Sequence, residues 1–382
     1  MNLTILFKEF FDSEKSGGLI LVGCTIVSLV IANSGIGVAY ADMWHIKAGG
    51  LSIEHWINDG LMAIFFLLIG LEIEREIYIG ELSDMKDALL PIFAAVGGML
   101  VPAAIYLAFN YGTNTQQGAG IPMATDIAFA LGILSLLGKR VPLSLRVFLT
   151  ALAIIDDLGA IIIIALFYSK GLDVTNLLIA LGIFIALIAL NRFKVKSLIT
   201  YIIGGILMWY FMLHSGVHAT ITGVLLAFAI PFGDGGEKSP SYRLQHFLHK
   251  PVAFFILPVF ALANTAILLS SDLGETISQD YSLGISIGLI VGKPLGILLL
   301  TLLSIWVGIA KLPKSLSMKT ILGAGFLAGI GFTMSIFITL LAFDDQAIIN
   351  NAKLIILLSS LVAGIIGFIF LKLTLPRTES FE

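Results

Sequence analysis

The chain of 382 residues is far more apolar than a water-soluble protein. Hydrophobic side chains make up 58% of it, charged side chains only 12%, and the formal net charge is −3, whereas soluble domains carry about 25% charged residues. This composition excludes a soluble enzyme, a nucleic-acid-binding protein and a disordered scaffold. The single cysteine, Cys24, excludes an internal disulfide. The composition is typical of a protein embedded in a membrane.

Apolar runs between charged or turn-forming residues predict the membrane spans, because about 20 apolar residues cross a bilayer as a helix. Continuous aliphatic runs such as 161–166 favour helices over the alternating strands of a barrel. The sequence predicts an all-α polytopic membrane protein with twelve transmembrane helices in a single domain, residues 1–382. The spans are expected near residues 16–34, 59–80, 88–110, 121–138, 145–169, 175–191, 198–213, 216–231, 251–271, 283–309, 320–343 and 350–373.

The distribution of Lys and Arg predicts the orientation, because positively charged loops stay in the cytoplasm. With the N-terminus inside, only Lys47, Lys170 and Lys353 fall in outer segments and Lys293 falls within the membrane, while the other eighteen of the 22 Lys and Arg residues fall inside. We therefore expect both termini in the cytoplasm and residues 232–250 in a cytoplasmic loop. Residues 35–57 are too polar to span and are expected at the outer interface, as an aromatic anchor or as a contact with a second copy.

Two of the predicted spans contain helix breaks. In the fourth span, Thr125 and Asp126 are residue types that begin helices, and in the eleventh, Gly329 and Gly331 precede Thr333. The two spans cross in opposite directions because they are seven positions apart. Interrupted helices in corresponding positions mark the substrate site in transporters built from inverted repeats. Close helix packing through glycines is the alternative explanation for the eleventh span.

Three carboxylates and one lysine are predicted to lie deep in the membrane. Asp156 and Asp157 are adjacent in the middle of the fifth span, Asp126 lies in the fourth and Lys293 in the tenth. Each buried charge costs about 2.5 to 3.5 kcal/mol. Adjacent residues on a helix point about 100° apart, so each aspartate of the pair needs its own partner, and we expect one of them to bind Lys293.

The excess of negative charge at this centre predicts cation or proton binding. Three ionised aspartates and one lysine leave a charge of −2, which must be neutralised by a cation, by protons or by water. Oxygen ligands favour hard cations such as Na⁺ and Li⁺. Cation and proton binding to the same carboxylates exclude each other, which is the chemistry of an antiporter. We expect no cofactor and no catalytic residues, only the transported Na⁺ or Li⁺ and H⁺.

Other polar residues allow two interpretations. Asp59 opens the second span, where it either caps the helix or lies in an ion path, and Glu72 lies in an acidic cluster that is either a solvated helix end or a cation-attracting funnel. His218 is either a hydrogen-bonded interface residue or a pH switch. Arg243, His246 and His249, beside Gln245, form a candidate pH-responsive patch.

Five segments resemble one known family in sequence and in order. They are 124–132 (ATDIAFALG), 153–159 (AIIDDLG), 215–220 (SGVHAT), 292–296 (GKPLG) and 329–335 (GIGFTMS). These segments resemble the NhaA sodium/proton antiporters, and the resemblance extends over nearly the whole chain.

The resemblance implies a fold, a site and an activity. It implies the twelve-helix NhaA fold with spans 4 and 11 unwound at a crossing, Na⁺ or Li⁺ bound by Asp157 with Asp126 and Thr125, and Asp156 paired with Lys293. It implies electrogenic exchange in the bacterial inner membrane, driven by the proton gradient and activated at alkaline pH, and a homodimer formed through an outer β-hairpin within 43–57. Its pH-sensing region would correspond to Glu72 and residues 243–249, where Glu74 and Gln245 depart from the family pattern.

Proteins of other classes also bury charged residues. An intramembrane aspartyl protease would carry a Gly-x-Gly-Asp motif, which is absent, and a retinal-type pump needs about seven spans and an aromatic chromophore pocket. A cation channel is the main alternative, because an aqueous acidic pore tolerates the same charges. A channel passes current without protons, whereas an antiporter requires both ions.

Overall fold

Helices account for nearly all of the regular structure. The computed structural model describes residues 3–169, 171–268 and 273–376. The helices of these ranges are α1 (Leu3–Ala32), α2 (Gly37–Trp44), α3 (Ile53–His55), α4 (Met62–Tyr78), α5 (Met85–Asn110), α6 (Ile127–Leu136), α7 (Leu143–Phe167), α8 (Val174–Arg192), α9 (Leu198–Leu213), α10 (Ile221–Ala229), α11 (Pro240–Pro251), α12 (Leu257–Asn264), α13 (Leu273–Ser278), α14 (Asp280–Ile287), α15 (Lys293–Trp306), α16 (Met318–Ala328), α17 (Phe332–Ala342) and α18 (Gln346–Thr374).

Eight helical stretches in the described ranges are at least 18 residues long and apolar enough to cross a membrane. The bent pair α16 and α17 makes a ninth if it counts as one span, and Ser16–Ala32 and Leu198–Leu213 are shorter apolar helices. The span predicted at 216–231 holds only α10, which has 9 residues. The architecture agrees with a multi-pass membrane protein, whereas the count of twelve spans stays a prediction.

Three long stretches are continuous through a π-helical turn. The turns are Trp56–Leu61 between α3 and α4, Val252–Ile256 between α11 and α12, and Gly288–Gly292 between α14 and α15. Pro258 and Pro294 follow the last two turns. A helical proline clashes with the carbonyl four residues earlier, which here lies within the turn, so the wider π geometry relieves the clash.

The continuous stretches correct two expectations. Asp59 lies inside the helical stretch Ile53–Tyr78, so it is not the residue that caps a helix N-terminus. The predicted loop 232–250 ends at Ser239, because α11 occupies the rest of it and continues into α12. Three positions used in the sequence analysis, Lys170, Arg377 and the end of the ninth span at 269–271, lie outside the described residues.

Both predicted helix breaks are present. Residues 124–126 are extended and separate the 3₁₀-helix Gln116–Met123 from α6. Residues 329–331 separate α16 from α17, whose axes are bent by 50° relative to each other. The two breaks leave four half-helix ends inside the bundle, each with backbone groups that need partners.

A short antiparallel strand pair lies in the segment where a hairpin was expected. Strand β1 (Lys47–Ala48) pairs with β2 (Leu51–Ser52), and Lys47 faces Ser52. The Trp56 indole Nε1 donates a hydrogen bond to the Ala48 carbonyl at 2.8 Å. The hairpin is therefore fastened to the start of the helical stretch Ile53–Tyr78. Its position on the outer face stays a prediction.

Glycines permit the closest helix contacts. Helices α5 and α15 pack along each other, and α10 packs along α4. A Cβ atom added to Gly97 would meet the Gly296 carbonyl oxygen, and one added to Gly223 would meet the Ala63 carbonyl oxygen. These contacts fix α15, which carries Lys293, and α4, which follows Asp59.

Replacing Gly97 by Leu should lower the melting temperature in detergent, because the side chain would push α5 away from α15 at a cost of about 1 to 3 kcal/mol. The matched control is Gly182→Leu in α8, where an added Cβ atom meets nothing within 4 Å. We expect Gly182→Leu to melt close to the unaltered protein. Equal melting of the two variants would contradict the close α5–α15 contact.

Candidate ion-binding site

The two helix breaks cross and satisfy each other's backbone groups. The Asp126 amide donates to the Ile330 carbonyl at 2.7 Å, and the Thr125 hydroxyl lies 3.0 Å from the Ala328 carbonyl. The Ser335 hydroxyl donates to the Ile121 carbonyl at 2.7 Å. Unpaired backbone groups are costly in an apolar environment, so the breaks stabilise each other where neither would be stable alone.

Asp126 lies at the N-termini of two half-helices. Its Oδ1 atom accepts from the Phe129 amide of α6 at 3.0 Å. Its Oδ2 atom accepts from the Thr333 amide of α17 at 3.0 Å and from the Thr333 hydroxyl at 2.5 Å. Helix N-termini favour negative charge. Asp126 therefore joins the two interrupted spans through its carboxylate.

Asp156 and Lys293 form a buried ion pair beside the crossing. Lys293 Nζ is 2.8 Å from Asp156 Oδ2, and both side chains are fully buried. The same oxygen accepts from the Thr125 hydroxyl at 2.6 Å, and the ammonium also donates to the Met123 carbonyl. The pair thus links α7, α15 and the break in span 4.

Asp157 is the second buried carboxylate of α7. It is 1% exposed, and neither of its carboxylate oxygens has a partner among the described residues. Its neighbour in the sequence, Asp156, is the other buried carboxylate, whose charge is balanced by Lys293. An ionised carboxylate in this position needs a proton or a cation to balance its charge.

The donor set limits which ions fit. Nowhere in the described chain do three or more His, Cys, Asp or Glu side chains come close enough together to hold a metal ion. A bound cation would therefore need hydroxyl, carbonyl or water oxygens beside the aspartates. Weak all-oxygen coordination of this kind suits a hard ion that must also be released. Thr125, Thr333 and the carbonyls of the breaks lie at the crossing.

The remaining candidates fall into two groups away from the crossing. Asp59 and His218 line a cavity of about 390 Å³. His55 lies 3.1 Å from Asp59, and the His218 Nε2 atom is 2.9 Å from the Tyr168 carbonyl.

The second group lines a smaller cavity of about 40 Å³, which includes Glu72 and His249, 3.9 Å apart. Glu72 is buried, and so is Glu74, which accepts from the Ser241 hydroxyl. The expectation of a solvated helix end is therefore wrong for these two glutamates.

The rest of the predicted patch lies on α11. The rings of His246 and Tyr242 are stacked with centroids 6.1 Å apart, and the Arg75 guanidinium lies over the Tyr242 ring at 5.1 Å. Arg243 is on the same helix.

Two glycines flank the break in span 11. Gly329 directly follows α16, and Gly331 directly precedes α17. A Cβ atom added to Gly331 would meet the Ser335 side chain.

Sequence reasoning missed several groups of the site. The carbonyls of Met123, Ala328 and Ile330 carry no sequence signal, since any residue supplies a carbonyl. Ser360 of α18, which accepts from the Phe332 amide at 3.2 Å, was also missed. A polar residue in an otherwise apolar span was the available signal for it.

Sequence comparisons agree with this geometry. The family described as Na⁺/H⁺ antiporter 1 matches residues 8–371. The chain belongs to the NhaA antiporter family. It is similar to the Na⁺/H⁺ antiporter NhaA of Flavobacterium psychrophilum, with 69% identity over 99% of this chain and 98% of the relative. It is also similar to NhaA of Cytophaga hutchinsonii, with 60% identity over 100% and 99%, and to NhaA of Vibrio cholerae, with 49% identity over 98% and 99%.

Membership in the NhaA family identifies a multi-pass membrane transporter. The polar centre of this NhaA-family chain combines carboxylates, hydroxyls and an ammonium at a helix crossing.

Replacing Lys293 by Ala should lower the melting temperature, because Asp156 would remain buried without its counter-charge. Removing one partner of a buried pair costs about 3 to 5 kcal/mol. The control is the exposed lysine variant Lys139→Ala, and the double variant Asp156→Asn with Lys293→Ala should recover part of the loss. Unchanged melting of Lys293→Ala would refute the pairing.

Proposed function

We propose that the protein is an electrogenic antiporter that extrudes Na⁺ or Li⁺ in exchange for protons. Asp157 carries the proposal, because it is a buried carboxylate whose two oxygens lack hydrogen-bond partners in the described part of the chain. The relatives, which are named Na⁺/H⁺ antiporters, support the choice of ions. The transported ions are the substrates, and no cofactor takes part.

Competition for the same carboxylates is the basis of the exchange. Asp157, with Asp126 and the Thr125 hydroxyl, binds the cation on one side of the membrane and gives it up when protons arrive from the other side. A state with neither ion leaves uncompensated negative charge in the apolar bundle, which is costly. Neutralisation by one ion or the other therefore couples the two fluxes.

The Asp156–Lys293 pair makes the exchange electrogenic. Because Lys293 balances Asp156, two further carboxylates, Asp126 and Asp157, are available for protons. Two protons exchanged for one monovalent cation move one net charge per cycle. The proton gradient and the membrane potential then drive sodium outward, as expected for a protein of the bacterial inner membrane with both termini in the cytoplasm.

Two cavities along one helical stretch serve as the routes to the crossing. Asp59 and Glu72 line different cavities and are 13 residues apart, which is about 20 Å along a helix. Phe337 of the larger cavity is one turn from Thr333, the partner of Asp126. Ile127 of the smaller cavity follows Asp126 directly. Ions thus approach the same carboxylates from two ends.

The region around Glu72 regulates activity with pH. Glu72 is close to His249, and Arg243 and His246 lie on the same helix α11. A rise in pH acts through this cluster of charged and polar groups: it changes the packing of α11 against α4 and opens the smaller cavity. This gives activation at alkaline pH. His218, which is hydrogen-bonded to the Tyr168 carbonyl, forms part of the ion route through the larger cavity.

A homodimer is proposed as the assembled form, with the hairpin segment 43–57 in the contact. The hairpin is anchored through Trp56 and presents exposed strand residues Lys47 and Ala48. Surrounding lipid covers the remaining apolar surface.

Asp157→Asn should abolish exchange without unfolding the protein. The substitution keeps the shape of the side chain and breaks no hydrogen bond, but asparagine neither takes a proton nor balances a cation. In acid-loaded proteoliposomes, external Na⁺ or Li⁺ should discharge the pH gradient for the unaltered protein, choline should not, and the variant should respond at least about tenfold more slowly.

The control for this experiment is Asp345→Asn. Asp345 is an exposed carboxylate that caps α18 by accepting from the Ala347 amide, and asparagine caps helices equally well. Normal exchange by Asp157→Asn would show that the site is assigned wrongly.

Direct competition predicts that the KM for Na⁺ rises as the pH falls. Below the protonation range of the site, the apparent KM increases about tenfold per pH unit for each proton that competes, so two competing protons give up to about a hundredfold. Initial rates of dye dequenching from pH 6 to 9 measure this. A KM independent of pH, or a Na⁺ current that continues without protons, would favour the cation channel.

A further inference from the structure

The wall of the larger cavity is built from three segments, two of which carry acidic or imidazole groups. Glu54, His55 and Asp59 come from the helical stretch Ile53–Tyr78, His218 precedes α10, and Phe337, Leu340 and Leu341 come from α17. Thr333, the hydrogen-bond partner of Asp126, lies on α17 together with these three residues. The charge on its wall acts on any cation that enters.

A buried lysine lies directly behind this wall. Lys353 of α18 is 3% exposed. Its Nζ atom is 3.9 Å from Glu54 Oε1 and donates to Asn264 Oδ1 at 3.2 Å. The Asn264 amide in turn donates to Asn58 Oδ1 at 2.8 Å. Glu54 and Asn58 both line the cavity, so the ammonium is held one side chain away from it.

Glu54 is the only carboxylate of the described cavity wall that contacts this ammonium. Its other oxygen, Oε2, lies 3.3 Å from His45 Nδ1 at the end of α2. Asp59 instead faces His55. The two carboxylates of the cavity wall therefore differ in their neighbours: Glu54 faces the Lys353 ammonium as well as His45, whereas Asp59 faces His55.

We infer that Lys353 is a buried counter-charge that sets the affinity of this entrance for Na⁺ through its contact with Glu54. The inference rests on the proposed function, since it concerns the cation that enters the cavity. A buried charge is screened little by salt, so its effect persists at the Na⁺ concentrations that an exporter meets. Because the Lys353 ammonium balances the charge of Glu54, the cavity binds Na⁺ weakly enough to release it.

Lys353→Met should lower the KM for Na⁺ at the outer face by about three- to tenfold, because Glu54 would become an unbalanced negative charge. Glu54→Gln should raise the KM by a similar factor, because the ammonium would then lack its counter-charge. The double variant should return close to the unaltered value, since the sum of the two charges is unchanged. The KM at the inner face should stay the same in all three.

The measurement uses right-side-out and everted membrane vesicles of the full-length protein. Lys372→Met is the matched control, because Lys372 is an exposed lysine of the same helix, and it should leave both KM values unchanged. Lys353→Arg keeps the charge and should also keep the KM. This variant separates charge from packing if Lys353→Met melts at a lower temperature.

Equal KM shifts at both faces, a shift at the inner face only, or no shift would overturn the inference. A change in Lys353→Arg as large as in Lys353→Met would overturn it as well, because packing rather than charge would then be responsible. If the unaltered protein exchanges Na⁺ normally in these vesicles, such results refute the role of Lys353 alone. Absence of exchange by the unaltered protein would refute the proposed function itself.

Discussion

The buried ion pair between Asp156 and Lys293 is the interaction on which the polar centre depends. It joins α7 to α15, and through the Thr125 hydroxyl and the Met123 carbonyl it also holds the break in span 4. Lys293 balances the charge of Asp156 in this way, whereas Asp126 and Asp157 have other neighbours. Asp126 is surrounded by donors from two helix N-termini, whereas Asp157 has no donor among the described residues. Three aspartates thus acquire three different environments.

Much of this centre was predictable because charges and helix breaks are conspicuous in apolar spans. Thr125 and Asp126 predicted the break before α6, and the single lysine in a span predicted an ion pair with Asp156 or Asp157. The choice of Asp156 followed only from the family resemblance. A hydropathy pattern could not identify the partner of Lys293. It places Asp156 and Asp157 in the same span but does not show which of them faces α15.

Other features were beyond the sequence because they depend on contacts between distant segments. The wide turn at Trp56–Leu61 lacks a proline signal, so the helix appeared to begin at Asp59. A solvated helix end was one of two interpretations of the acidic cluster around Glu72, but α11 packs against α4, and both Glu72 and Glu74 are buried. Lys353 was counted among the charges of the outer segments. Its side chain is buried, and its ammonium donates a hydrogen bond to Asn264, a residue 89 positions away.

The Thr125 hydroxyl has a single hydrogen and two acceptors within reach, Asp156 Oδ2 at 2.6 Å and the Ala328 carbonyl at 3.0 Å. Only one of them receives a full hydrogen bond at any moment. Rotation of the hydroxyl group about the Cβ–Oγ1 bond therefore moves this hydrogen bond from the ion pair to the end of α16. Because the Thr125 oxygen stays in place, the two hydrogen-bonded arrangements differ only in the position of one hydrogen, and no helix has to move for one to replace the other.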